Sequence, residues 1–148
     1  MTYEDFRRRA RIVEEAFVNK EIESHFGLLL PNDGYPVVQF DHLRTLAREA
    51  EALDFDSAWV ADHFLAPPGL SAAFGTKGIF EATMVLSALS SITTRIHLGT
   101  SVLLFPMRHP IHLANLITTL DHATQGRLIL GFGVGGYKPE FDACEVPY

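Results

Sequence analysis

Three short apolar runs in this chain end alike, and that shared ending narrows the folds open to it. They are SAWVADHF at 57–64, RIHLGTSV at 95–102 and RLILGFGVGG at 127–136, each strand-like and each finishing in polar or glycine-rich residues. RIHLGTSV reads as a buried strand that breaks open on a Gly-Thr-Ser turn. A parallel sheet or barrel presents such strand ends to a ligand, because the backbone there is free and the residues are small.

The intervening segments read as helices. Residues 3–20 place Phe6, Ala10, Val13 and Phe17 at helical spacing among charges, an amphipathic helix ahead of the first strand. That first strand spans 26–30 and is halted by the turn Pro31-Asn32-Asp33-Gly34. Asp41 caps a helix whose stripe is Leu43, Leu46, Ala47, Ala50 and Leu53. After the strand at 57–60 and a loop over 65–79, Glu81–Ser91 predicts a helix carrying Met84, Val85, Ala88 and Leu89. A third strand covers 96–102. Pro110 suits the first turn of a helix facing the core with Leu113, Leu116, Ile117 and Leu120, and Gln125-Gly126 ends it. The fourth strand covers 128–131.

Strand and helix thus alternate at roughly 30–40 residues per unit, the βαβ pattern of a parallel sheet. Right-handed crossovers then put the helices outside and the strand C-termini together. Four such units make half of an eight-stranded TIM barrel, which typically takes about 250 residues against the 148 here. The predicted class is α/β: about four of the usual eight (β/α) units, a half-barrel over 25–148, with an extra N-terminal helix and lead-in over 1–24. A flavodoxin-like open sheet matches the length too, but it wants a phosphate loop after its first strand, where PNDG is a plain turn.

Charge and cysteine content limit the partners. Eighteen acidic against 12 basic residues give a net charge of −6, the wrong balance for a nucleic-acid surface. The one basic run, Arg7-Arg8-Arg9 with Arg11, is interleaved with Glu4, Asp5, Glu14 and Glu15, a solvated helix face. No apolar run approaches the ~20 residues of a membrane span, and MTYEDFRRRA lacks the apolar core of a signal peptide. With Cys144 the only cysteine, a cytoplasmic location is expected.

Several motifs carry chemistry only in part. GFGVGG at 131–136 is a formal G-x-G-x-x-G after a strand. Pro139 follows where a dinucleotide-binding helix is established, so a glycine-rich loop that lets a planar ligand or phosphate approach the backbone fits better. His63, after Asp62 at a strand end, suits general acid–base work because histidine titrates near neutrality. An adjacent Asp-His pair has no chelating spacing, and His25, His42, His97, His109, His112 and His122 are scattered, so no metal site is expected. No G-x-S-x-G elbow occurs, and Cys144 lacks a base beside it.

Taken in order, WVADHF, RIHLGTSV, LDHATQGRL and GFGVGGYKPEF resemble the luciferase-like flavin-dependent oxidoreductases. That superfamily includes bacterial luciferase, FMN-dependent monooxygenases and F420-dependent reductases and dehydrogenases. The resemblance covers about residues 25–148. It implies that Asp62 and His63 occupy an acid–histidine position beside the flavin ring, as catalytic residues. It implies that Thr100, Ser101 and Val102 bind the cofactor, with Ser101-Val102 a non-prolyl cis peptide and bulge behind the isoalloxazine. Gly133 and Gly135 belong to the loop that approaches the flavin, and Val134 stands where bacterial luciferase has a phosphate-contacting arginine. Relatives commonly carry glycine at the positions of Asp54 and Glu145. If those sites need positive φ, a carboxylate residue is costly there.

The function implied is flavin- or F420-dependent redox chemistry, of monooxygenase or hydride-transfer type, on a small-molecule substrate. ADHF and GTSV stand closer to the F420 relatives than to the FMN ones. Activity is expected once the barrel is completed by a second chain or a homodimer partner. The alternatives are a non-catalytic truncated paralogue with a dimerising or scaffold role, and a fragment of a longer enzyme.

Overall fold

The computed structural model describes residues 25–33, 37–69 and 78–148. The amphipathic helix predicted over 3–20 and part of the 65–79 loop lie outside them. Four parallel strands form one sheet in sequence order: β1 (Gly27–Leu29), β2 (Ser57–Val60), β3 (His97–Leu104) and β4 (Leu128–Gly133). Between and after them run α1 (Phe40–Ala52), α2 (Ala82–Ser90), α3 (Pro110–Thr124) and α4 (Lys138–Ala143), with a 3-10 turn over Phe105–Met107. The sheet is open, so four (β/α) units of a barrel are present, as predicted. No helix among the described residues is long and apolar enough to cross a membrane.

The helices cover one face of the sheet. Leu30, Ala58, Val60, Ile96 and Leu98 pack there against Leu43, Ala47 and Ala50 of α1, Val85, Leu86 and Leu89 of α2, and Leu120 of α3. Two predicted stripes are narrower than the sequence suggests: Leu53 is 70% exposed and Met84 67% exposed. Small residues in α1 explain part of this, since Ala47 and Ala50 let the helix lie close to the strands without Leu53. Asp41 is not the cap of α1. Gln39 precedes the helix, its N–H donating to His42 Nδ1 at 3.1 Å, while Asp41 sits in the first turn and pairs with Arg44 at 2.7 Å. Pro110 opens α3 as expected. Gln125 itself takes the left-handed conformation at its end (φ 57°), followed by Gly126 at φ 76°.

Two hydrogen-bonded clamps tie the helices to the sheet. Glu51 Oε1, at the end of α1, accepts the N–H groups of Thr94, Arg95 and Ile96 at 2.9, 2.6 and 2.9 Å. Burial pushes that carboxyl up, but these three bonds and the field of Arg127 hold it below the ordinary glutamate value. The Arg127 guanidinium in turn donates to the carbonyls of Ile96 (2.7 Å) and Thr93 (3.1 Å), closing the end of α2 against β3.

On the other face, one large side chain fills the space over two glycines. Leu29, Trp59, Gly99 and Ile129 are in register across the four strands. The Trp59 indole lies over both Gly27 and Gly99, where a Cβ would come within 2.5 Å of its ring in each case, and its Nε1–H donates to Ser57 Oγ at 2.8 Å. Gly99 therefore serves the indole rather than a turn. The Gly-Thr-Ser turn expected there is absent, and β3 continues to Leu104.

Candidate functional site at the strand C-termini

The strand ends of β2, β3 and β4 meet where the sequence placed them. Val60 is paired with Thr100, and Thr100 with Leu130. The residues just beyond, Asp62-His63, Ser101-Val102 and Gly133–Gly135, therefore share one end of the sheet. Between Thr100 and Leu103 the β3–β4 register slips, with three steps on β3 facing two on β4. The extra residue makes a bulge, and the Ser101–Val102 peptide within it is cis. Both geometries match what the resemblance implied.

The bulge depends on glycines of β4. A Cβ on Gly131 would sit 2.3 Å from the Thr100 carbonyl oxygen, and one on Gly133 would sit 2.8 Å from Val102 Cγ2. Thr100 is buried and its hydroxyl donates to the Gly131 carbonyl at 2.7 Å, so it holds the bulge from behind. Ser101 and Val102 are exposed, beside an exposed apolar set: Val102 at 42%, Phe132 at 63% and Val134 at 75%. Phe132 stacks on Phe105 with ring centres 4.7 Å apart. Gly135 has φ 80°, and a Cβ there would also meet the Phe141 ring at 3.3 Å. Asp54 (φ 60°) and Glu145 (φ 54°) do hold positive φ.

Asp62 and His63 are adjacent in sequence but belong to different contacts. The buried Asp62 carboxylate forms a bidentate pair with Arg108, Nη1 to Oδ2 at 2.6 Å and Nη2 to Oδ1 at 2.9 Å, and accepts the Leu104 N–H at 2.8 Å. Arg108 Nη2 also reaches Glu81 Oε1 at 2.8 Å, and its guanidinium lies 4.8 Å from the centre of the Phe64 ring. Burial disfavours the Arg108 charge, yet its two carboxylate partners raise its pKa further. Burial likewise pushes Glu81 up, but the Met84 N–H, the Thr83 hydroxyl and Arg108 together hold it low. Glu81 thereby caps α2 and joins that helix to the end of β2.

His63 turns its Nδ1 to Glu140, 3.1 Å from Oε1 and 3.2 Å from Oε2. Glu140 is fully buried on α4 and also accepts the N–H groups of Phe64 (2.6 Å) and Leu65 (3.2 Å). No local spacing points to this pairing, because the partners of Glu140 lie 75 to 77 positions upstream. Asn32, within the PNDG turn, likewise carries no local signal of its role. It is buried and ties three segments together, donating to the carbonyls of Ala61 (2.8 Å) and Phe80 (3.0 Å) and accepting the Ala61 N–H (3.0 Å).

The described residues hold no group of three or more metal-ligating side chains. A groove of about 630 Å³ runs instead along α2 and α3, lined by residues such as Ser87, His112, Leu116 and Thr119. It lies on the helix side of the sheet, whereas (β/α) units bind ligands at the strand C-termini.

The profile of the luciferase-like monooxygenase family matches residues 24–147. The chain belongs to that family. It is 34% identical over 135 residues to the protein Rv0953c of Mycobacterium tuberculosis, covering 83% of this chain and 46% of that one. It is similar to the monooxygenase RslO1 from Streptomyces bottropensis, with 29% identity, a TM-score of 0.69, and coverage of 84% of this chain and 37% of RslO1. The coenzyme F420-dependent tetrahydromethanopterin reductase from Methanopyrus kandleri is similar at 30% identity and a TM-score of 0.65, with 85% of this chain and 31% of the reductase covered. The luciferase-like chain thus spans about half the length of the first of these relatives and about a third of the two solved structures.

Proposed function

We propose that this luciferase-like half-barrel supplies one wall of a flavin-type cofactor site in an oxidoreductase, of monooxygenase or hydride-transfer type. The observation that carries the reading is the exposed Ser101-Val102 bulge, flanked by His63 on one side and the Gly133–Gly135 loop on the other. A tricyclic flavin or deazaflavin ring is flat and apolar on its faces and polar along one edge. The shelf of Val102, Phe132 and Val134 offers the first kind of surface, and the Ser101 hydroxyl with the local backbone the second. The ring therefore fits.

Among the described residues near this end, Arg108 is paired with Asp62 and Glu81, Lys138 with Asp142 at 2.5 Å, and position 134 is valine. The rest of the substrate pocket belongs to further polypeptide that completes the barrel, as a second chain, a second copy or a continuation of this one. The bound cofactor supplies the redox chemistry. The chain's own residues hold the ring and exclude water from one face, and His63 stands as the acid–base group. Asp62 acts through Arg108 to fix the ends of β2 and β3, rather than on the substrate. F420 is the first candidate, since a relative of 30% identity is described as dependent on it; FMN is the second.

Anaerobic titration of the purified native assembly with F420 and with FMN tests the proposal. The expected result is a saturable perturbation of the visible absorption band with one of the two. A spectrum unchanged by both would overturn it.

A further inference from the structure

We propose that Glu140 is a positioning residue for His63, fixing which ring nitrogen carries the proton; the inference rests on His63 being the acid–base group of the site. An ionised carboxylate accepts hydrogen bonds and has no proton to give. Glu140 Oε1 already accepts two backbone N–H bonds, from Phe64 and Leu65, which is the setting of an ionised carboxylate. His63 Nδ1 is within hydrogen-bond reach of both its oxygens. Nδ1 must therefore be the donor, and in the neutral ring the lone pair falls to Nε2.

The burial pattern gives that lone pair an outlet. The Glu140 side chain is 1% exposed and that of His63 is 32% exposed, so the acid lies beneath and the ring reaches the surface. Among the described residues Nε2 has no hydrogen-bond partner. The ring thus offers a ligand an acceptor, a nitrogen ready to take a proton rather than give one.

The chain path makes this a coupling between two parts of the site. Glu140 stands on α4, directly after the glycine-rich loop of β4, and His63 stands at the end of β2. Because the same carboxylate holds the N–H groups of Phe64 and Leu65, it fixes the backbone following His63 as well as its ring.

Glu140→Gln separates this role from simple packing. The glutamine oxygen takes the Oε1 place and still accepts from Phe64 and Leu65, while its NH₂ takes the Oε2 place, 3.2 Å from Nδ1, where it opposes an Nδ1–H and donates to a bare Nδ1. The His63 proton is then expected on Nε2. Imidazole ¹⁵N spectra of histidine-labelled protein, taken at a pH where the ring is neutral and assigned with a His63→Gln control, read the tautomer without any cofactor. The wild type is expected to show Nδ1–H, and Glu140→Gln to show Nε2–H. Wild-type protein with the proton on Nε2 would overturn the inference, as would an unchanged tautomer in the variant. Should Glu140→Gln fail to fold, the wild-type tautomer decides by itself. A correct tautomer switch with no cofactor binding would instead refute the flavin-site reading and leave the Glu140 pairing standing.

Discussion

Replacing Asp62 with alanine is expected to destabilise the fold by about 3–5 kcal/mol, the cost of removing one member of a buried ion pair. The reason is what the substitution strands. Arg108 is largely buried (its side chain is 11% exposed) and loses a bidentate partner, while the Leu104 N–H loses its acceptor. Glu81, itself partly solvated, remains as the one carboxylate partner of the guanidinium, with the Leu104 carbonyl at 3.2 Å beside it. At roughly 2–4 °C per kcal/mol for a chain of this size, the melting temperature should fall on the order of 10 °C. The double variant Asp62→Ala with Arg108→Ala is expected to recover part of the loss, because the stranded charge goes too. A change within about 0.5 kcal/mol for Asp62→Ala, the size of an ordinary surface substitution, would mean that the pair does not hold the ends of β2 and β3 together.

The second large effect is expected from Gly131→Ala. The new methyl would meet the Thr100 backbone oxygen at 2.3 Å, and a strand backbone cannot swing aside as a side chain can. Relief requires β3 and β4 to part at the bulge, which breaks the bond from the Thr100 hydroxyl to the Gly131 carbonyl. Overpacking of this kind costs about 1–3 kcal/mol and sometimes more; a backbone obstacle places it at the upper end. Because the bulge is displaced, cofactor affinity should also fall by about tenfold or more, equivalent to roughly 1.4 kcal/mol. Gly136→Ala is the control. Nothing lies within 4 Å of its added Cβ, so urea unfolding and cofactor titration should both match wild type. Equal behaviour of the two variants would remove the packing argument for Gly131.

What the sequence carried well was local. The period of apolar residues placed four strands and three helices, and Pro110 and Gln125-Gly126 bounded α3. The polar and glycine-rich endings fall together at one end of the sheet. The residues that organise the site were hidden, because their reasons are long-range. Arg108 is 46 positions from Asp62, and Glu140 is 77 from His63, so neither pairing leaves a local spacing to read. One signal was available. Pro139 argues against a dinucleotide fold but fits the first turn of a helix, and it opens α4, which carries Glu140. Gly99 misled for the same reason, since its partner is the Trp59 ring on the next strand and not its own turn.

A flavin-type ring resting on the strand C-termini would show itself in the protein's own amides. Proton–nitrogen spectra of uniformly ¹⁵N-labelled protein would be followed while F420, then FMN, is added. The largest perturbations are expected on the amides of His63, Ser101, Val102, Gly133 and Gly135, with Gly27 and the α2–α3 groove unmoved. Perturbations confined to Ser87, Asn115 and Thr119 of that groove would contradict it.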